Sequence, residues 1–153
     1  MFTCIVMALH NTIGKIGEQY AADILMKKGY KIECTNWHMG HLELDIIASN
    51  NQEIAFVEVK TRTSLFGGVM PEEYVDQTKQ ARMVAAANAY IKYNKIEKLP
   101  RFDIIGLLVN KETGELLQQN HLENAFTPKL RTIHNNSFNG QWRWKHKKHS
   151  IHR

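Results

Sequence analysis

Glu58 and Lys60 stand two residues apart in the segment Phe56-Val57-Glu58-Val59-Lys60. Strand side chains alternate faces, so this carboxylate and ammonium share one side while Val57 and Val59 share the other. A solvated ion pair at a strand end is the ordinary fate of such charges. Two further acids turn the reading toward chemistry. In Leu42-Glu43-Leu44-Asp45-Ile46-Ile47-Ala48, alternation puts Glu43, Asp45 and Ile47 on one face. Pairing Ala48 with Glu53 across the intervening turn sets Asp45 opposite Phe56 and diagonal to Glu58, about 7–8 Å away. Two carboxylates so placed can close on one hard cation, which takes oxygen ligands at about 2.0–2.1 Å if it is magnesium. A register slip of one residue would separate them. Glu18 has Ala21, Ala22 and Leu25 at i+3, i+4 and i+7, beside an apolar helix face. A carboxylate there is costly unless paired, hydrogen-bonded or near a metal. Glu18, Asp45, Glu58 and Lys60 are therefore the candidate reactive set, with Glu43 read as a solvated acid nearer the start of its strand.

The elements that must position this set follow from periodicity. Asn11 to Lys28 reads as a helix with an apolar strip of Ile13, Ile16, Tyr20 and Ile24, closed by Gly29. Lys31–Trp37, Leu42–Ala48 and Ile54–Lys60 read as strands, the last two joined by the turn Ser49-Asn50-Asn51-Gln52. Pro71-Glu72-Glu73 suits the first turn of a second helix running to about Asn94, with Met83, Ala86, Ala87, Tyr90 and Ile91 as its buried strip. Phe102–Val109 is a nearly continuous apolar run, the mark of a strand covered on both faces. Glu115–Gln119 is a candidate returning edge strand. The expected order is helix, three strands, helix, strand.

At 153 residues the chain has room for one core, and the expected division is one domain over 1–128 and a basic, flexible tail over 129–153. The net charge of +5 is uneven: residues 1–124 carry 13 Lys and Arg against 15 acids, whereas residues 125–153 carry seven and no acid. In the tail, Trp142 and Trp144 interleave with Arg143, Lys145, Lys147 and Lys148. Basic side chains capture phosphates by counterion release and aromatic faces stack on bases, so the tail suits nucleic acid; a merely solubilising end is the bland alternative. Arg62 and Lys79 have two readings each, a phosphate contact or a snorkelling core-edge cation. Cys4 and Cys34 make no disulfide framework, no apolar run reaches bilayer length, and the apolar opening lacks a signal peptide's basic start, so the expected location is cytoplasmic. Met1 and Met7 are both candidate starts.

An acid at the end of one strand followed by Glu-x-Lys on the next resembles the PD-(D/E)XK nuclease superfamily. Asp45 stands for the first acid and Glu58-Val59-Lys60 for the second element, with Leu44 where the superfamily's proline often stands. The sequence resembles more closely still the YraN-like family of uncharacterised bacterial proteins. The marks are Gly14-x-x-Gly17-Glu18, Gly29-Tyr30, Asn36-Trp37, Glu43 to Ala48, Phe56 to Arg62, Pro71-Glu72-Glu73, Lys79, Arg101-Phe102-Asp103 and Asn124-Ala125-Phe126, covering about Asn11 to Pro128.

The resemblance implies an α/β, restriction-endonuclease-like fold with a mixed central sheet flanked by helices. It implies Mg²⁺ (or Mn²⁺) on Asp45 and Glu58, with the Val59 carbonyl as an extra ligand. Lys60 would act on the attacking water or the transition-state oxygens, and Glu18 would orient water or hold a second ion. The pattern is also similar to archaeal Holliday-junction resolvases, which implies branched DNA as substrate and a homodimer. Two other readings stand beside the DNA nuclease: a non-catalytic nucleic-acid-binding module of the same fold, and an RNA-cleaving enzyme. Fold analogy decides among none of them.

Overall fold

The computed structural model describes residues 2–64 and 75–128, with side chains from residue 12 onward. The expectations on Pro71-Glu72-Glu73 and on tail residues Trp142, Arg143, Trp144, Lys145, Lys147 and Lys148 lie outside the described residues.

Helix α1 (Phe2–Lys27) begins well before the expected Asn11. The preceding stretch holds no glycine or proline, so nothing in it stops the helix from extending. Gly29, at φ +87°, closes α1, and the Lys28, Gly29 and Tyr30 amides return to carbonyls of Ile24, Leu25 and Met26. Strands β1 (Lys31–Met39), β2 (Leu42–Ser49) and β3 (Glu53–Arg62) follow. Helix α2 (Gln77–Asn94) starts where the Asp76 carboxylate accepts the Lys79 amide at 2.8 Å. Strand β4 (Leu99–Val109) and the short β5 (Leu116–Leu122) complete the fold, the second meeting the expectation of a returning edge strand.

The sheet order is β1-β2-β3-β4-β5. Only β3 and β4 run parallel, and α2 makes the crossover that a parallel pair requires. The two faces of the sheet carry separate cores. Ala21, Ala22 and Leu25 of α1 pack on Ile46, Ala48, Ala55, Val57, Ile105 and Leu107. Met83, Ala86, Ala87 and Ile91 of α2 pack on Leu44, Ile47, Ile54, Phe56 and Phe102. The central strands are apolar on both faces because each face is covered. The chain is thus a mixed α/β fold of a five-stranded sheet and, among the described residues, two flanking helices, consistent with a nuclease-like architecture.

The β2–β3 register differs from the expected one by two residues. Ala48 pairs with Ala55, not Glu53. Asn50 is the cause: its amide donates to the Glu53 carbonyl at 3.0 Å, and its side-chain oxygen accepts the Gln52 and Glu53 amides at 2.9 Å each. The turn therefore tightens to Asn51-Gln52. A shift of two preserves the faces, so the carboxylates stay together. The paired residues end at Ile46↔Val57, and beyond them the Asp45 carboxylate accepts the Val59 amide of β3.

At the start of β4, Arg101 grips the fully buried Asp103 with two bonds of 2.9 and 2.8 Å. His121 Nε2 lies 2.8 Å from the same carboxylate and the Asn124 amide donates to it at 2.9 Å. Burial pushes Asp103 up, but the bonds from His121, Arg101 and Asn124 outweigh it and hold the carboxyl below its usual range. The bonds from His121 and the Asn124 amide to Asp103 tie β5 and its exit onto the sheet.

Candidate functional site

Glu58 sits late in β3, its side chain only 5% exposed. One carboxylate oxygen lies 3.0 Å from Lys60 Nζ and the other 2.9 Å from Lys79 Nζ. Lys79 also reaches Glu43 at 3.4 Å. Lys79 is thus ion-paired within the chain; the Asp76 cap fixes its backbone and its ammonium turns to Glu58. Burial pushes Lys79 down, but the hydrogen bond and charge of Glu58, with Asp45 and Glu43, outweigh it and hold the ammonium above the ordinary lysine value.

Asp45 accepts the Val59 amide at 2.8 Å. The paired residues of β2 and β3 end at Ile46↔Val57, so from here the Asp45 side chain takes up an amide of β3. Burial first, and then the charge of Glu58, raise its carboxyl to about 7; the Val59 amide and Lys79 pull the other way. A carboxyl raised by a second carboxylate is a place where added positive charge is favourable.

Glu18 reaches this neighbourhood because α1 approaches β3 closely. A Cβ built on Gly17 would overlap Thr61 Oγ1 and lie 2.9 Å from Thr61 Cβ. Only glycine allows that contact, which sets the next residue, Glu18, at the groove. There Glu18 accepts a 2.7 Å bond from the Asn36 carboxamide of β1.

These groups line one open groove of about 320 Å³ at the end of β3. Glu18, Asp45, Glu58, Val59, Lys60, Arg62 and Lys79 all face it, so every expected site residue among the described ones is brought together. Glu43, at 59% side-chain exposure, is a solvated acid at the rim, as its place in the strand suggests. Gly17 and Asn36 also shape the site. Both stand among the marks of the YraN-like resemblance, but the sequence pattern gives neither a role at the site; for Gly17 a further signal is a glycine inside a helical pattern.

Among the described residues no three His, Cys, Asp or Glu side chains converge closely enough to hold a metal ion by themselves. The donor set still fits a hard cation. Magnesium is commonly held by one or two carboxylates, with waters and substrate phosphates filling the remaining positions. Asp45 and Glu58 line the same groove, and burial first and the charge of Glu58 second raise the Asp45 carboxyl.

Fold and groove together define an α/β protein with a carboxylate–lysine cluster at the end of a central strand. The profile of the uncharacterised protein family UPF0102 matches residues 17–107, a span that includes Glu18, Asp45, Glu58, Lys60 and Lys79. The chain belongs to this family, the YraN-like group that its motifs resemble. A UPF0102 protein of Parabacteroides distasonis is 48% identical over 120 residues, 78% of this chain and 96% of that protein. One from Bacteroides thetaiotaomicron is 46% identical over 125 residues, covering 81% and 99%. One from Caldanaerobacter subterraneus is 46% identical over 116 residues, covering 75% and 94%. No helix among the described residues is long and apolar enough to cross a membrane.

Proposed function

We propose that this chain is a divalent-cation-dependent nuclease that hydrolyses phosphodiester bonds in DNA, with branched DNA such as a four-way junction as its preferred form. The observation that carries the reading is the gathering of Asp45 and the buried Glu58 in one open groove, with Lys60 and Lys79 on Glu58. A structural ion pair needs one cation for one carboxylate. Here four carboxylates, Glu18, Glu43, Asp45 and Glu58, share an open groove with Lys60, Lys79 and Arg62.

Asp45 and Glu58, with the Val59 carbonyl, are the oxygens that would hold Mg²⁺ or Mn²⁺. When bound, such an ion neutralises charge on the scissile phosphate and acidifies a water. The rest falls to the chain itself. Lys60 and Lys79 present ammonium groups where phosphate oxygens would enter, positioned to stabilise charge that grows in the transition state. Glu18, on the opposite wall, accepts a hydrogen bond from a nucleophilic water and orients it. Arg62, exposed at the rim, contacts the neighbouring backbone phosphate. A pure binding module gains nothing from acids facing a polyanion. Symmetric cutting of a junction calls for two copies of the chain.

The test is cleavage of a labelled panel of single strands, duplex, flap, four-way junction and hairpin RNA in Mg²⁺ or Mn²⁺. Glu58→Ala and Lys60→Ala are run alongside. Cutting of a DNA structure is expected from the wild type, and retained binding without cutting from both variants. Binding without cutting in the wild type, weakened by removal of residues 129–153, would favour the non-catalytic module. Cutting of hairpin RNA in the presence of a chelator would favour the RNA enzyme.

A further inference from the structure

Asn36 stands at φ +51°, in the left-handed region, inside a strand. Asparagine tolerates that conformation better than most residues, yet it is uncommon and carries a cost there. The β1–β2 ladder passes from Thr35↔Ile46 to Trp37↔Leu44 with no pair between Asn36 and Asp45. Both strands invert their faces at that step. Cys34 and Trp37, three residues apart, belong to the α2-side core, as do Ile47 and Leu44 on the facing strand. Strict alternation would have put Trp37 and Leu44 on the α1 side, where Ile46 lies. Trp37 is held on the α2 side by an edge-on contact with Tyr90, ring centres 5.6 Å apart.

The break has two consequences at the groove. Asp45, released from a pair with Asn36, turns its carboxylate to the Val59 amide. The Asn36 carboxamide points to α1 and donates to Glu18 at 2.7 Å. In an ordinary strand conformation, Asn36 could not serve Glu18 while Trp37 stayed in the α2-side core. We infer that Asn36 is a positioning residue: its carboxamide holds the Glu18 carboxylate on the wall of the groove that Asp45 and Glu58 line, where it adds its negative charge to theirs. This rests on the metal-dependent reading above and adds a residue that touches neither substrate nor ion. Groups that orient carboxylate ligands from behind typically change metal affinity by about 10–100-fold at the strong end. Asn36 acts on the pair only through Glu18, so about 3–10-fold is expected here.

The test is a double-mutant cycle on Mn²⁺ binding by the full chain, measured by calorimetry without nucleic acid, with urea unfolding of each variant. Asn36→Gly removes the carboxamide and accepts positive φ without strain, so it should unfold at the wild-type urea midpoint or above. Asn36→Gly and Glu18→Ala should each weaken Mn²⁺ binding about 3–10-fold. The double variant should bind no worse than Glu18→Ala alone, because Asn36 acts only through Glu18. Wild-type affinity in Asn36→Gly, or effects that multiply in the double variant, would overturn the inference. So would Asn36→Gly losing stability and Mn²⁺ affinity together, which would make Asn36 a structural residue. If the wild type itself binds no Mn²⁺, the metal-dependent reading fails and takes this inference with it.

Discussion

Replacing Asp45 with Asn should make the metal-free protein more stable, and more so as pH rises. Burial and Glu58 raise the Asp45 carboxyl from 3.8 to about 7. A raised carboxyl binds its proton more tightly folded than unfolded. Its contribution to stability is therefore complete below about pH 4 and is lost as pH climbs through about 7. Each pH unit between the unfolded and folded values is worth about 1.4 kcal/mol, so the loss has a ceiling of about 4 kcal/mol at pH 8. The groove is open to solvent, which screens the repulsion, so about 2 kcal/mol is the expected size. Asparagine mimics the protonated acid and keeps an oxygen for the Val59 amide, so Asp45→Asn should escape the loss. Urea denaturation at pH 5 and pH 8, with a chelator, measures the difference. The variant should gain on the wild type by about 1–2 kcal/mol between the two pH values. Millimolar Mg²⁺ should raise wild-type stability and leave Asp45→Asn unchanged. A variant less stable than wild type at pH 8, or a difference independent of pH, would refute the reasoning.

Gly17→Ala should cost about 1–3 kcal/mol, because the new methyl overlaps Thr61; Thr61→Ala in the same chain should recover part of the loss in a thermal melt. Arg101→Ala strands the buried Asp103 with only His121 and the Asn124 amide, and should cost about 3–5 kcal/mol by urea unfolding. Because the Asp103 carboxyl is held low, its contribution is present above about pH 4 and lost as pH falls below that; Asp103→Asn should flatten the acid limb of a stability–pH curve. Lys79→Met leaves Glu58 with Lys60 alone and should lower stability by about 1–3 kcal/mol, while slowing cleavage more than it weakens DNA binding.

Much of this arrangement is legible in the sequence. The alternation in Phe56–Lys60 and the apolar strip of α1 place Glu58, Lys60 and Glu18 in one neighbourhood because strand and helix periods are local properties. Asp45 joins them although the alternation of Leu42–Ala48 breaks there, Leu44 and Ile47 sharing one core. Register is not legible in detail. It depends on the Asn50 carboxamide closing a tighter turn than counting residues suggests, and a two-residue error is harmless only because it preserves faces. The ion pair of Lys79 is hidden because Glu58 lies 21 positions away on another element; pairing at such a distance has no periodic signature. The inversion at Asn36 is hidden for a related reason. Its cause is a demand from three elements at once, Trp37 toward α2, Asp45 toward β3 and the carboxamide toward α1. The start of α2 lies at Gln77 because the Asp76 cap sets it there.

The central claim is that the acids Asp45 and Glu58, gathered in one groove, make a cation-dependent nuclease site. The most direct test is a Mg²⁺ titration of single-turnover cleavage of a labelled four-way junction by wild type, Asp45→Asn and Glu58→Gln. Saturable Mg²⁺-dependent cutting, abolished by chelator, is predicted for the wild type. Each variant should lose at least about 100-fold in rate while keeping junction binding. Cutting that persists in both variants, or a wild type that binds the junction and leaves it intact at every Mg²⁺ concentration, would contradict the claim.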